Sequence, residues 1–181
     1  MIQKDKKKSY RLFQGMLLLL SLVMVSCYSF TGSSLKPDVK TINIKNFPNN
    51  TAFNPNLSQQ FTVDLQNRFL QRTTLKGTKE NPDILIEGEI TDYNISPTTI
   101  SSPTTSQQSG NVIQAAQNKL TITVKVHYEN AKYPEESFDR TYSDEVVYNN
   151  NISTQEVENS QVKIATDRII NKIFNDIVAN W

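Results

Sequence analysis

Apolar and polar residues alternate or recur along this chain in six separable stretches. In "TINIKNFPN", Ile42 and Ile44 alternate with Thr41, Asn43 and Lys45, the signature of a strand with one buried face, ended by Pro48 and Asn49. The next stretch, "FNPNLSQQFTVDLQNRFLQRTTLKG", repeats Leu57, Phe61, Leu65 and Phe69 every four residues and predicts a helix. Asn54 stands ready to cap it, Pro55 to occupy its first position and Gly77 to close it. Alternation returns in "DILIEGEITDY", where Ile84, Ile86 and Ile90 face one way and Glu87, Glu89 and Thr91 the other. It is cleaner in "KLTITVKVHYEN", with Leu120, Ile122, Val124, Val126 and Tyr128 on one face. Phe138, Tyr142, Val146 and Tyr148 keep the same phase beyond the turn "NAKYPEE", which predicts a hairpin. Ser153 and Glu156 have capping-box spacing, and Val162, Ala165, Ile169, Ile173 and Ile177 then mark one side of a long C-terminal helix.

The element order is therefore β-α-β-β-β-α. Two one-sided helices and a one-sided sheet bury their apolar surfaces best as two layers. The expectation is an α+β two-layer sandwich, a mixed sheet of about four strands with both helices on one face and the other face uncovered. Residues 94–118 carry Ser, Thr, Gln and Pro in place of core residues and read as a connection of about two dozen residues, far beyond an ordinary hairpin loop. Within it, Val112, Ile113, Ala115 and Ala116 could add a short helical or strand extension.

The N-terminus has a different pattern. Lys4, Lys6, Lys7, Lys8 and Arg11 precede an apolar run from Met16 to Val25 that is too short to span a bilayer but suits the core of a signal peptide. Ser26 and Cys27, the only cysteine, follow where cleavage belongs, and a lone thiol cannot close an intrachain disulfide. The arrangement resembles the bacterial lipoprotein signal, although Met24 stands where that signal usually has leucine. We favour this reading over an uncleaved anchor or a buried structural cysteine. It implies a cleaved signal at 1–26, diacylglycerol and an N-acyl group on Cys27, a lipidated polar tether over 27–40 and a single domain over 41–181.

Processing changes the charge. The whole chain carries +1, whereas Cys27 to Trp181 holds 14 basic and 17 acidic residues, a net charge of −3. A mildly acidic domain without a basic tract lacks the field that nucleic-acid binding requires, though local cationic patches for an anionic lipid remain compatible with it. Asn-Xaa-Ser sequons at Asn56, Asn94 and Asn151 are expected by chance in so Asn-rich a chain.

Candidate chemistry is sparse. The single histidine, His127, falls on the polar side of its strand and has no His or Cys partner in the processed chain for a metal site. Glu87 and Glu89, two apart on a strand, would sit about 6.6 Å from one another, a separation that inverting glycosidases use. They are better read as cross-strand partners of Lys125 and His127 than as a catalytic pair. With five glycines in all, and neither a Gly-rich phosphate loop nor a nucleophile elbow, an enzyme is not expected.

Taken together, "CYSFTGSSL", "TINIKNFPN", "PNLSQQFTVDLQNRF", "IEGEITDY" and "KLTITVKVHYEN" resemble the LptE family of lipopolysaccharide-assembly lipoproteins over essentially all of Cys27 to Trp181. The resemblance rests on the order of elements and the attached cysteine, since no single motif is diagnostic. It implies an outer-membrane lipoprotein, lipid-anchored on the periplasmic face, that plugs a large LptD-type β-barrel and assists lipopolysaccharide assembly without catalysis. Family members are held to contact lipopolysaccharide through basic residues, and by chemistry Lys119, Lys125 and Lys132 are the candidates here. The alternatives are a free-standing periplasmic ligand-binding lipoprotein and a cell-envelope hydrolase using Glu87 and Glu89.

Overall fold

The computed structural model describes residues 35–99 and 116–178. Cys27, the signal segment and residues 100–115 of the long connection lie outside the described residues. The strands are β1 (Thr41–Ile44), β2 (Lys76–Gly77), β3 (Ile84–Thr99), β4 (Ala116–Asn130) and β5 (Phe138–Asn149), and the principal helices are α1 (Leu57–Arg72) and α2 (Val162–Val178). The sheet runs β2-β1-β3-β4-β5, with β1 parallel to both neighbours and β3, β4 and β5 antiparallel. The mixed character follows from connectivity: α1 carries the chain back after β1, so the later strands beside it run parallel.

The expected two-layer α+β architecture is present, with five strands where four were anticipated. The additional β2 is only two residues long and too short to show periodicity. Gly77 lies in β2 and does not close α1. The helix stops at Arg72 because Thr73 turns extended, its N–H and its hydroxyl both donating to the Phe69 carbonyl. At the other end Pro55 precedes the helix, which begins at Leu57. The Asn54 carbonyl accepts the Leu57 N–H, with no capping bond from the Asn56 side chain.

The expected apolar faces are buried. Leu57, Phe61, Leu65 and Phe69 of α1 and Ala165, Ile169 and Ile173 of α2 pack on Ile84, Ile86, Ile90, Leu120, Ile122 and Val124 with no exposed surface. The helices meet through an edge-on contact of Phe69 and Phe174 and a hydrogen bond from Arg68 to Asn171. Before α2, one helical turn (Thr154–Glu156) capped by Ser153 leads into a π-helical turn (Val157–Gln161). Its i to i+5 bonding brings Val157 and Val162, five apart, onto the same buried side.

Of residues 94–118, expected to be a connection, 94–99 and 116–118 belong to the sheet. Asn94 to Thr99 pair with Thr121 to Ala116, so β3 and β4 continue as an arm past a bulge between Ile90 and Asp92. Few apolar residues are needed there: Asn94, Ile95 and Pro97 are exposed, and polar residues pair as readily through the backbone. On the opposite edge, the Ser143 and Glu145 carbonyls of β5 accept from Lys172 and Arg168 of α2.

Candidate functional site

The open sheet face is built by register. Glu87 pairs with His127, which pairs with Asp139, and Glu89 pairs with Lys125, which pairs with Thr141. These rows floor a groove of about 530 Å³ whose wall is Lys45, Asn46 and Pro48 after β1. Every charge on the floor has a partner. Lys45 Nζ lies 2.6 Å from Glu87, His127 Nδ1 2.8 Å from Asp139, and Lys125 Nζ 3.8 Å from Glu89, which also accepts from Asn50 at 2.6 Å.

Gly88 shapes this floor. A Cβ placed on it would lie 2.1 Å from the Lys125 carbonyl oxygen and 2.6 Å from Phe47, so only glycine fits between the neighbouring strand and that ring. Phe47 is fixed from the helix layer: its N–H donates to Thr62 Oγ1, whose own hydroxyl donates to the Ser58 carbonyl, and its ring packs 5.3 Å from Phe61.

Glu89 is the cross-strand charge partner of Lys125 as expected, whereas Glu87 pairs with Lys45 and His127 with Asp139; both glutamate side chains lie on an open surface, 39 % exposed. Among the described residues no group of His, Cys, Asp or Glu is placed to hold a metal ion, and no helix is long and apolar enough to cross a membrane.

Lys119 and Lys125 share the open face of β4, six residues and about 20 Å apart. Lys119 is 3.0 Å from Glu145, whereas Lys125 is the most exposed of the three candidate lysines and the most loosely paired. Lys132 lies elsewhere, in the β4–β5 turn, where it pairs with Asp83 at 3.2 Å and donates to the Asp38 carbonyl.

Lys132 belongs to a clamp on residues 36–41. Lys36 sits 3.3 Å above the Tyr133 ring and 2.8 Å from Glu136, and the Tyr133 hydroxyl donates to the Asp38 carboxylate. Asp83 Oδ2 accepts the Lys40 and Thr41 N–H groups. The Lys40 N–H, then Lys132 and the Thr41 groups, hold the Asp83 carboxyl down at about 2, outweighing partial desolvation.

A second charged feature escaped the sequence reading. Lys40, Arg72, Lys76 and Lys79 are exposed and form no ion pair with any described residue. Every other described lysine or arginine is ion-paired except Arg68, which bonds Asn171. The backbone brings Lys40 beside Lys76, whose N–H donates to the Lys40 carbonyl, while Arg72 ends α1 four residues before β2 and Lys79 follows two residues after it. Only pairing of β1 with β2 brings residue 40 beside residue 76, and β2 is too short to read from the sequence.

Fold and surface define an α+β domain whose open sheet face carries charged side chains paired with one another. The sequence profile of the LptE lipopolysaccharide-assembly family matches residues 39–177, and the chain belongs to this family, whose members are non-enzymatic, lipid-modified lipoproteins of the outer membrane. No curated protein matches the sequence. Among solved structures, the chain is similar to a minor lipoprotein from Acinetobacter baumannii, with 17% identity and a TM-score of 0.43, covering 78% of this chain and 92% of that one. It is similar also to the hypothetical protein CT253 from Chlamydia trachomatis, with 8% identity and a TM-score of 0.49, covering 78% of this chain and 99% of that one. The rare lipoprotein B from Shewanella oneidensis gives 11% identity, a TM-score of 0.35 and coverage of 76% and 91%. Likenesses this low add nothing to the family assignment.

Proposed function

We propose that this protein is the lipid-anchored partner of an LptD-type outer-membrane β-barrel, in which it sits as a plug and assists lipopolysaccharide assembly. Residues 1–26 act as a cleaved signal, Cys27 carries diacylglycerol and an N-acyl group, the tether over 27–40 leads to the domain over 41–181, and the domain stands on the periplasmic face. The family match over residues 39–177 is the observation that carries this reading. The open sheet face supports it: a polar surface with its charges already paired meets a polar barrel wall without stranding a charge. Lipopolysaccharide contacts are assigned to Lys119, Lys125 and Lys132, and Lys125 is the foremost of them because its ammonium is least committed to an internal partner. Affinity purification from detergent-solubilised outer membranes tests the reading. It expects a large β-barrel to co-purify, intact mass to show acyl groups on Cys27, and depletion to lower surface lipopolysaccharide. A monomer without a barrel would return the free-standing binder.

A further inference from the structure

We propose that the β2 edge, through Lys40, Arg72, Lys76 and Lys79, docks on the anionic phospholipid headgroups of the leaflet that holds the anchor. The inference rests on acylation of Cys27. Two observations converge on this edge. The first is charge: although the processed chain is net acidic, the lysines and arginines that form no ion pair with a described residue, Arg68 of the α1–α2 contact apart, lie on β2 and the segments that flank and pair with it. The acids nearest them in the chain, Asp38 and Glu80, against four cations leave a surplus of two positive charges, with Asp83 neutralised by Lys132. The second is where the anchor ends. The nine residue steps from Cys27 to Lys36 reach at most ~32 Å; Lys36 is held at the β4–β5 turn by Glu136 and Tyr133, and the chain then runs to Lys40, whose carbonyl accepts the Lys76 N–H at this edge. The tether therefore lets this edge approach the bilayer closely enough to enter a field that decays over about 10 Å.

The chemistry suits a membrane surface. Lysines are compact, hydrated point charges that bind phosphate without strict geometry. Leu70, 46% exposed beside Gly77, adds an apolar contact at the mouth of a cleft of about 350 Å³ that Lys79 also lines. Each cation near an anionic leaflet favours the docked state roughly fivefold.

The test uses the full-length lipoprotein in phosphatidylcholine vesicles with or without phosphatidylglycerol, with a fluorophore on Thr74→Cys or, as a distant control, Thr141→Cys, and spin-labelled lipid as quencher. Phosphatidylglycerol is expected to quench position 74 well above position 141. High salt reverses the effect, K76Q/K79Q lowers the ratio of docked to undocked protein roughly 25-fold, and K76R/K79R preserves it. Melting curves confirm that both variants fold. Equal quenching at the two positions, or the same quenching at position 74 without anionic lipid, overturns the proposal. Quenching that needs lipopolysaccharide in the vesicle and ignores phosphatidylglycerol overturns it too, and assigns the edge to lipopolysaccharide phosphates. Intact mass, scored first, separates failure of the anchor from failure of the edge.

Discussion

Asp83 and Thr41 hold each other at two points: the Thr41 N–H donates to Asp83 Oδ2 at 3.0 Å, and the Asp83 N–H donates to Thr41 Oγ1 at 2.8 Å. With the Lys40 N–H on the same carboxylate oxygen, the pair fastens the start of β1 to the loop before β3. Asp83 ionises at about 2 in the fold against an ordinary 3.8, so its contribution is fully present above pH 4 and is lost as pH falls through 2. Asp83→Asn is expected to cost about 2 kcal/mol at pH 7. Urea unfolding at pH 7 and at pH 2 checks this: the gap between variant and parent narrows at the lower pH, and an equal gap at both would show that the charge contributes nothing.

Gly88→Ala forces a Cβ against the Lys125 carbonyl and Phe47. Because the nearer obstacle is backbone, β4 must shift, and a loss of about 3 kcal/mol or more is expected. Gly77→Ala meets only Leu70 at 3.9 Å, an ordinary contact, and should be close to neutral. Thermal melts of the two variants side by side decide the matter.

Glu87→Gln combined with Glu89→Gln removes two exposed ion pairs. Their contribution to stability is expected to stay under about 1 kcal/mol each. Lipopolysaccharide assembly in a depletion strain should be rescued as well as by the parent chain. Failure of a folded, normally abundant variant to complement would revive an essential role for the carboxylates.

Ile173, fully enclosed between α2 and the sheet, should cost about 2–5 kcal/mol as Ile173→Ala. Ile164, 39% exposed on the same helix, should cost about 0.5 kcal/mol or less. Equal losses in denaturant titrations would mean that α2 packs by a different face.

What the sequence disclosed tracks where burial imposes a period. The four-residue repeat from Leu57 to Phe69 and the alternation from Leu120 to Tyr128 gave elements and faces that the structure retains, and Glu89 meets Lys125 as expected. Glu87 stands opposite His127 in register but pairs with Lys45, which lies just after β1, tens of residues away. Where backbone pairing alone holds the chain, no period exists to read: β2 went unseen, and Asn94 to Thr99 looked like loop because the arm has little core to fill. The π-helical turn at Val157–Gln161 was hidden similarly, since its five-residue spacing matches neither helix nor strand. The site divides in the same way. Local alternation placed Lys119 and Lys125 on one face, but the fixed position of Lys132 and the gathering of Lys40 with Lys76 depend on contacts between residues tens of positions apart.

Lys172 and Arg168 occupy carbonyls along β5, the outermost strand on its side. A bare rim of that length is a template on which copies of a chain could stack into filaments. With two acceptors already filled from its own helix, the molecule meets its siblings with that rim partly blunted, so crowding before assembly is less apt to end in aggregation.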